Sequence, residues 1–288
     1  MKKRNESKMT MAALMMLAAM AMTSCASSKK INGNSNAGKS SEMGKNEEDL
    51  DNSYLVLSDT QQDIVKKNNA FALRLFNKVT DMESKVISPM SVSYLMGMLA
   101  NGADGITQQE ILKAIGCEGV SVNDLNELYK AMLLNANHQD KQTTVNIANY
   151  IAVNKNFQLN KDFCQKVSDS YLAGIESLDF TSSKTTDRIN GWCKEKTNGM
   201  ILRIIDQVSA DAVSYLMNAI YFKGTWQNKF NAKDTKLENF RGYTRDIQKV
   251  EMMHQVKKLF YAENKDFKAV DLPYGNGSIW QKYQHAIA

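Results

Sequence analysis

Apolar residues recur with a helical period in several segments of the first half of the chain. The first segment begins near Gln61 and places six apolar residues on one helical face: Ile64, Phe71, Ala72, Leu75, Phe76 and Val79. The next segment, PMSVSYLMGMLAN, is apolar nearly all round and therefore predicts a central helix. Ser88 can cap this helix and Pro89 can occupy its first position, while Gly102 and Gly105 would end it.

Four more helices are predicted from the same kind of spacing. In TQQEILKAIG, Thr107 and Glu110 have the spacing of a capping box, and Gly116 is a stop signal. The others lie in VNDLNELYKAMLLNA, NKDFCQKVSDSYLAG and TTDRINGWCKEKTNG, the last ending at Asn198 and Gly199.

Two segments carry the strongest strand signals. TTVNIANYIAVN switches to a period of two and places four apolar residues on one face: Val145, Ile147, Ile151 and Val153. AVSYLMNAIYFKGTW is apolar on both strand faces, which predicts a central strand of a covered sheet. Further strands are indicated by IESLDF, QKVEMMHQ, KKLFYAEN and FKAVDLPYGNG, so the chain is predicted to be α+β with a large mixed sheet.

The first 24 residues have the composition of an export signal. The charged start KKRNESK precedes the apolar run MTMAALMMLAAMAM, which is short for a membrane span, and then small residues. Residues 22–25, Met-Thr-Ser-Cys, resemble the lipobox of bacterial lipoproteins, which implies a lipid on Cys25 and attachment to a membrane. Ordinary signal cleavage with Cys25 as a bystander is the alternative. Either way we expect an exported protein, in the cell envelope or the extracellular space.

Residues 25–60 are expected to form a tether, because they are rich in Ser, Asn, Gly, Lys and Glu. Within them, Gly33 to Ser40 fits the phosphate-loop pattern G-x-x-x-x-G-K-[ST]. A phosphate loop needs a buried strand before it and a helix after it, and neither is predicted here. The acidic residues that follow would also repel a phosphate, so no nucleotide is expected.

Charge and side-chain chemistry argue against several other functions. The net charge of +5 includes +3 from the first 24 residues, so the remaining chain gives no reason to expect nucleic-acid binding. The motifs H-E-x-x-H and G-x-S-x-G are absent from the sequence, and its histidines are His138, His254 and His285. No C-x-x-C pair occurs, so neither a metal nor a cofactor is expected, and the thiols of Cys117, Cys164 and Cys193 are predicted to be free and buried. The chain is therefore not expected to be an enzyme.

Several segments, in order, resemble the serpins, protease inhibitors that trap their target by inserting a loop into a sheet. VISPMSVSYLMGMLANGADGITQQEILKAIG resembles the region of serpin helices B and C, INGWCKEKTNGMI resembles helix F, and VSYLMNAIYFKGTWQNKF resembles the third strand of the central sheet. VEMMHQ and KAVDLPYGNG match later serpin motifs. The resemblance spans about residues 61–278, implies the serpin fold, and names a serine or cysteine protease as the expected partner.

The resemblance also implies roles for individual residues. Ser88 and Ser91 stand where serpins have the serines of the shutter, the region beneath which the sheet opens, and Asn218 matches the shutter asparagine. An asparagine in an apolar strand needs a hydrogen-bond partner, and hydroxyls of the packed helix could supply it. A purely structural hydrogen bond is the alternative.

Trp226 matches the tryptophan of the breach, at the top of the same strand. Its partners are expected in a segment that this chain lacks, so an ordinary core aromatic is the alternative there.

The resemblance ends after LPYGNGS. Residues 279–288 are expected to be a tail unlike the family, because IWQKYQHAIA does not read as the apolar strand that serpins have there. The later strands, the mobile hinge and the reactive loop would then be missing, leaving no reactive centre. We therefore expect an inactive chain whose strand around Asn218 has an open apolar edge. The alternative is a lipid-anchored envelope binding protein or adhesin without inhibitory activity.

Overall fold

The computed structural model describes residues 55–79, 86–136, 141–242, 246–265, 267–277 and 279–286, with residues 267 and 279–286 described by their backbone. The export signal, Cys25, residues 26–54 of the expected tether with its phosphate-loop pattern, and His138 lie outside the described residues. The end of the expected tether is wrong, because Asp59 and Thr60 already belong to the first helix.

Six α-helices form in the described chain, and all but the last belong to one layer. Their bounds are α1 (Asp59–Val79), α2 (Pro89–Asn101), α3 (Gly105–Ala114), α4 (Val122–Ala136), α5 (Lys161–Tyr171) and α6 (Ser183–Lys196). Capping explains where α2 begins. Ser88 is extended and accepts a hydrogen bond from the Ser91 amide, and Pro89 occupies the first turn as predicted.

The strands of the described chain form three small sheets. Their bounds are β1 (Thr143–Asn154), β2 (Gly174–Leu178), β3 (Ser214–Gly224), β4 (Lys236–Arg241), β5 (Ile247–Met252), β6 (Tyr261–Glu263), β7 (Phe267–Tyr274) and β8 (Ile279–Ala286). The first sheet has the order β2-β1-β3, the second pairs β4 with β5, and the third has the order β6-β7-β8. The fold is thus α+β with mixed pairing, as predicted.

The sheet β2-β1-β3 positions the candidate site. Strand β1 pairs parallel with β2 and antiparallel with β3, over a register that runs from Thr143 opposite Gly224 to Val153 opposite Ser214. Within the described residues, β3 has no ladder partner on its other side. In this part of the chain, the outer edge of β3 around Asn218 is thus open.

Each face of this sheet is covered by its own hydrophobic core. On one face, Ile151 and Val153 of β1 pack with the buried side chains of α1 to α5. On the other, Tyr150 and Ala152 pack with Ile189, Trp192 and Cys193 of α6. Alternate residues of β1 thus serve opposite cores, as the period of two requires.

A polar cluster fastens α6 to the sheet at its outer rim. Arg188 of α6 binds Glu176 of β2 at 2.7 Å, and the hydroxyl of Tyr150 donates to the same carboxylate at 2.6 Å. The Tyr150 hydroxyl and the Arg188 guanidinium hold the pKa of Glu176 below its usual value. The Tyr150 ring also stacks on Trp192, with 5.1 Å between ring centroids. The helix is thus held by packing and charge together.

Three local expectations differ from the structure. Helix α3 begins at Gly105 with Asp104 as its cap, rather than with Thr107, because glycine can take the positive φ of 57° at this junction. Phe76 and Val79 are predicted to share the apolar face of α1, but they are 39% and 40% exposed. Residues 279–286 form a strand, β8, paired antiparallel with β7, although their sequence is polar.

No helix in the described part of the chain is both long and apolar enough to cross a bilayer.

We predict that Gly97→Ala destabilises the fold by about 1–3 kcal/mol, because α2 touches two tyrosines at this position. A Cβ there would lie 3.1 Å from Cε2 of Tyr129 and in closer contact with the Tyr171 hydroxyl, which also binds Asn126 at 2.8 Å. Urea unfolding measures the loss.

Gly191→Ala is the matched control, since Gly191 lies inside α6 and a Cβ there meets nothing within 4 Å. We expect it to stabilise by about 0.5–1 kcal/mol through helix propensity. Equal midpoint shifts for the two variants would contradict the packing argument.

Candidate functional site

The N-terminus of α2 carries the first two residues of the candidate site. The Ser91 hydroxyl donates to Oγ of Ser88 at 2.8 Å, and the Ser91 amide donates to the same oxygen at 3.2 Å. Both serines are half-buried. Their hydroxyls are thus joined to each other and to the first turn of α2.

The third residue, Asn218, lies near the middle of β3 and binds across to β1. Its Nδ2 donates to Oδ1 of Asn149 at 2.8 Å, and the two residues are directly opposite in the register. Asn149 is 3% exposed, and its own Nδ2 donates to the carbonyl of Tyr171 at 2.7 Å. A chain of amides therefore links β3, β1 and the last residue of α5.

The prediction that helix hydroxyls would satisfy Asn218 is wrong. Helix α2 packs on β3, but within the described residues no hydrogen bond joins Ser88 or Ser91 to Asn218. A cross-strand asparagine supplies the partner because opposed residues in an antiparallel ladder have Cβ atoms about 5 Å apart, within reach of a short amide. Only the Nδ2 side of Asn218 is satisfied in this way.

Oδ1 of Asn218 is buried and accepts no hydrogen bond within the described chain. Leaving a buried acceptor unpaired costs about 1–3 kcal/mol, so this atom marks a locally unfavourable point in an otherwise satisfied sheet. The Tyr94 hydroxyl of α2 is in the same state, and burial raises its pKa. Within the described residues, the helical side of the sheet thus contains two unsatisfied polar atoms, Oδ1 of Asn218 and the Tyr94 hydroxyl.

Tyr94 belongs to a cluster of three buried tyrosines beside this site. Its ring meets those of Tyr129 and Tyr171 edge-on, with centroids 4.8 and 6.4 Å away. The Tyr171 hydroxyl donates to Asn126, which exchanges two hydrogen bonds of 2.9 Å with Asn101. The amides and tyrosines fix α2, α4 and α5 relative to one another.

Trp226 lies just beyond the end of β3, within a cluster of aromatic rings. It stacks on Tyr274, with centroids 4.2 Å apart and ring planes 13° apart, and meets Phe230 edge-on. Tyr274 in turn packs edge-on against Phe222. The expectation that partners of Trp226 lie in a segment missing from the chain is therefore wrong, because Tyr274 ends β7.

Backbone hydrogen bonds reinforce this junction between β3 and β7. The Gln227 amide donates to the Pro273 carbonyl at 2.9 Å, and the Gly275 amide donates to the Thr225 carbonyl at 2.7 Å. The segment after β3 is thus tied to the turn after β7, which lies in the motif LPYGNG.

Sequence reasoning missed Asn149 and Tyr274. The sequence does contain a signal for Asn149. Asn149 lies on the same face of β1 as Ile147 and Ile151, and it is a polar residue in an otherwise apolar series. No comparable local signal connects Tyr274 with Trp226, because 48 positions separate them and the contact arises from tertiary packing.

The remaining reactive side chains form no catalytic arrangement within the described chain. Cys117 and Cys193 are free and buried as predicted, whereas Cys164 is half-buried. Burial raises the pKa of the Cys117 thiol to about 11 and also raises that of Cys193, so both are protonated and weakly nucleophilic at neutral pH. His254 lies 3.0 Å from the Glu238 carboxylate.

Comparison with known families supplies the context for this geometry. A family model described as "Serpin (serine protease inhibitor)" matches residues 66–281. Bovine leukocyte elastase inhibitor is 32% identical over 216 residues, which cover 72% of this chain and 56% of that protein. Serine protease inhibitor 42Dd of Drosophila melanogaster is 29% identical over 211 residues, covering 72% and 57%. The chain thus spans little more than half the length of these relatives.

A solved serpin structure has a similar fold over most of this chain. The thermophilic serpin tengpin in its native state superposes with a TM-score of 0.71 at 30% identity, covering 81% of this chain and 59% of tengpin.

We predict that Asn149→Ala destabilises the protein by about 2–4 kcal/mol, because it breaks two hydrogen bonds and strands their buried partners. The control is Asn146→Ala, which removes one bond of 2.8 Å from a half-buried residue of the same strand to the Lys196 carbonyl. We expect that control to cost about 0.5–1.5 kcal/mol. Chemical denaturation distinguishes them, and an Asn149 variant no less stable than the Asn146 variant would refute the central role of the amide chain.

Proposed function

The chain belongs to the serpin family, and from this premise we propose that residues 61–278 form part of a serine-type endopeptidase inhibitor domain. In this mechanism a protease attacks a reactive loop, and the cut loop enters the central sheet while still attached to the enzyme. The observation that carries the proposal is strand β3, held to β1 along one edge and unpaired along the other in the described residues. An inserting strand requires such an edge.

We assign shutter roles to Ser88, Ser91 and Asn218 within this proposal. The Asn149–Asn218 bond holds β3 in register, while the serine pair fixes the start of α2. Trp226 takes the breach role, since its stack on Tyr274 joins the end of β3 to β7. Each role is separable by substitution because no hydrogen bond connects the groups within the described residues.

We further propose that a polypeptide of these 288 residues does not itself trap a protease. The tail 279–288 takes the place of the apolar strand of the family, and no segment of the sequence resembles the reactive loop. Without a loop there is neither an ester bond to the protease nor a strand to insert. The target protease is therefore not specified by these residues.

Export and anchoring complete the proposal. Residues 1–24 would act as the signal peptide, Cys25 would carry the lipid, and residues 25–60 would be the tether. The supporting observation is the order of the segments: a charged start, a short apolar run, small residues before a cysteine, and then a polar linker. A tether of this kind leaves the folded domain exposed outside the cytoplasm.

We predict that the chain forms no SDS-resistant complex with trypsin, chymotrypsin, elastase or papain, whereas bovine leukocyte elastase inhibitor forms one with elastase. A chimera in which residues 66–277 replace the matching part of the bovine protein should regain a complex with elastase if this region is an inhibitor scaffold. Gel electrophoresis measures both.

Two outcomes would overturn these proposals separately. A covalent complex with the chain itself would disprove its inactivity. A chimera that unfolds cooperatively yet is only cleaved would disprove the inhibitor scaffold and favour a binding protein or adhesin.

We also predict that radioactive palmitate labels the chain in a bacterial host and that Cys25→Ala abolishes the label. Cys164→Ala is the matched control and should retain it, because a half-buried thiol inside the fold is not the lipidation site. An unlabelled wild-type chain with its signal cleaved would contradict the anchor and favour simple secretion.

A further inference from the structure

Helix α6 and the segment after it cover one face of the sheet β2-β1-β3. We call residues 200–208, which run back along α6, the return segment. Its Val208 is buried and packs with Ile189 and Cys193 of α6. This core is smaller than the one that α1 to α5 form on the opposite face of the sheet. The face under α6 is therefore closed by a layer of its own.

Asn190 joins the middle of the return segment to α6 by three hydrogen bonds. Its Oδ1 accepts from the amides of Ile204 and Ile205 at 2.8 and 3.2 Å, and its Nδ2 donates to the Ile205 carbonyl at 2.9 Å. The return segment belongs to no strand of the described chain, so its backbone groups need partners of this kind. One half-buried side chain supplies three of them.

Two threonines extend this contact toward both ends of the return segment. Oγ1 of Thr186 accepts from the Val208 amide at 3.3 Å. Oγ1 of Thr197, directly after α6, accepts from the Ile201 amide at 3.0 Å. Positions 186, 190 and 197 are separated by four and seven residues, and both steps return to nearly the same face of a helix. One stripe of α6 thus holds the return segment along its length.

We propose that Asn190 is a positioning residue that makes α6 and the return segment one cover, and that this cover opens from the sheet as a unit while α1 to α5 stay folded. Local opening begins where few apolar contacts hold a segment to the rest of the fold. The smaller core under α6 meets that condition. Opening requires no protease and no reactive loop, so it does not depend on the proposed inhibitor function.

Both chain connections of the cover lie at the same end of the sheet. Strand β2 ends at Leu178 before α6, β3 begins at Ser214 after the return segment, and the register places both at the end of β1, next to Asn154. Asn154 is 2% exposed, and its Nδ2 donates to the carbonyls of Ala210 and Ala212 at 3.0 and 3.1 Å. This buried anchor forms the hinge of the cover, and the turn after α6 is its opposite tip.

Polar contacts fasten the cover along its rim and at its tip. At the rim, Arg188 binds Glu176 of β2 at 2.7 Å, and both side chains are partly exposed. At the tip, Nδ2 of Asn146 donates to the Lys196 carbonyl at 2.8 Å. A partly exposed ion pair contributes little on its own, because water screens it. The cover is thus held to the sheet by separate weak contacts, whereas Asn190 holds it together internally.

Thiol modification tests whether the cover opens on its own. Cys193 lies under α6 and Cys117 lies in the core of α1 to α5, and both are free and buried. In the native 288-residue chain, N-ethylmaleimide should modify Cys193 at least about tenfold faster than Cys117, with each rate taken relative to that in the urea-unfolded chain. Peptide mass spectrometry separates the two sites. Equal rates would show that the cores open only together and would overturn the proposal.

Hydrogen exchange tests the role of Asn190. In the wild-type chain, the amides of Ile201 and Val208 should be protected to within about threefold of the Trp192 amide inside α6, because one opening exposes all of them. Asn190→Ala should lower the protection of Ile201 and Val208 about tenfold relative to Trp192, because the return segment can then detach alone. Neither amide binds Asn190 itself. Asn190→Asp keeps both acceptor contacts and should recover most of the coupling.

Arg188→Ala is the matched control, because it removes a tie to the sheet and leaves Asn190 intact. It should speed exchange at Ile201, Val208 and Trp192 by the same factor, about threefold. A wild-type return segment much less protected than α6 would contradict the proposal. The same holds for an Asn190→Ala variant in which the three amides still exchange together, or an Arg188→Ala variant in which they separate.

Discussion

The arrangement of the sheet depends on the hydrogen bond between Asn149 and Asn218. Both amides lie within faces that are otherwise apolar, and each would carry a desolvation cost if the other were displaced. A shift of one residue would turn them toward different faces and break the bond. The pair therefore specifies the register of β1 and β3 more strictly than apolar side chains alone, which tolerate exchange.

That register determines both cores. With Asn218 opposite Asn149, Leu216 packs against the helical layer while Met217 packs against the core under α6. The bond from Asn149 to the Tyr171 carbonyl extends the constraint to α5, whose following residue Leu172 has a left-handed φ of 49°. One polar contact in the sheet thus aligns a helix end, two strands and two hydrophobic layers.

The sequence was sufficient where local signals and tertiary packing agree. The predicted segments for α4 and β1 match the structure because their periodicity is uninterrupted by competing caps. The sequence did not predict features that depend on competition between neighbouring helix caps or on contacts between residues far apart in the chain. Asp104 displaced Thr107 as a cap through the freedom of Gly105, β4 has no strong strand pattern, and the pairing of Trp226 with Tyr274 is invisible to local spacing. Of the site, Ser88 and Asn218 could be identified by resemblance, whereas for Asn149 the sequence shows only a polar residue on an apolar face, and its partners are seen in the structure.

Strand β3 contains both a buried unsatisfied amide oxygen, Oδ1 of Asn218, and an edge that is open within the described residues. Strand β3 is anchored along β1 and, beyond its end, to the turn after β7, but its outer edge is open in the described chain. Oδ1 of Asn218 is buried beneath this edge rather than exposed along it, so its desolvation cost lies inside the packed layer. The open backbone edge and the unsatisfied amide are therefore separate features of one strand, and the amide acts on the packing of β3 against β1 and the helices.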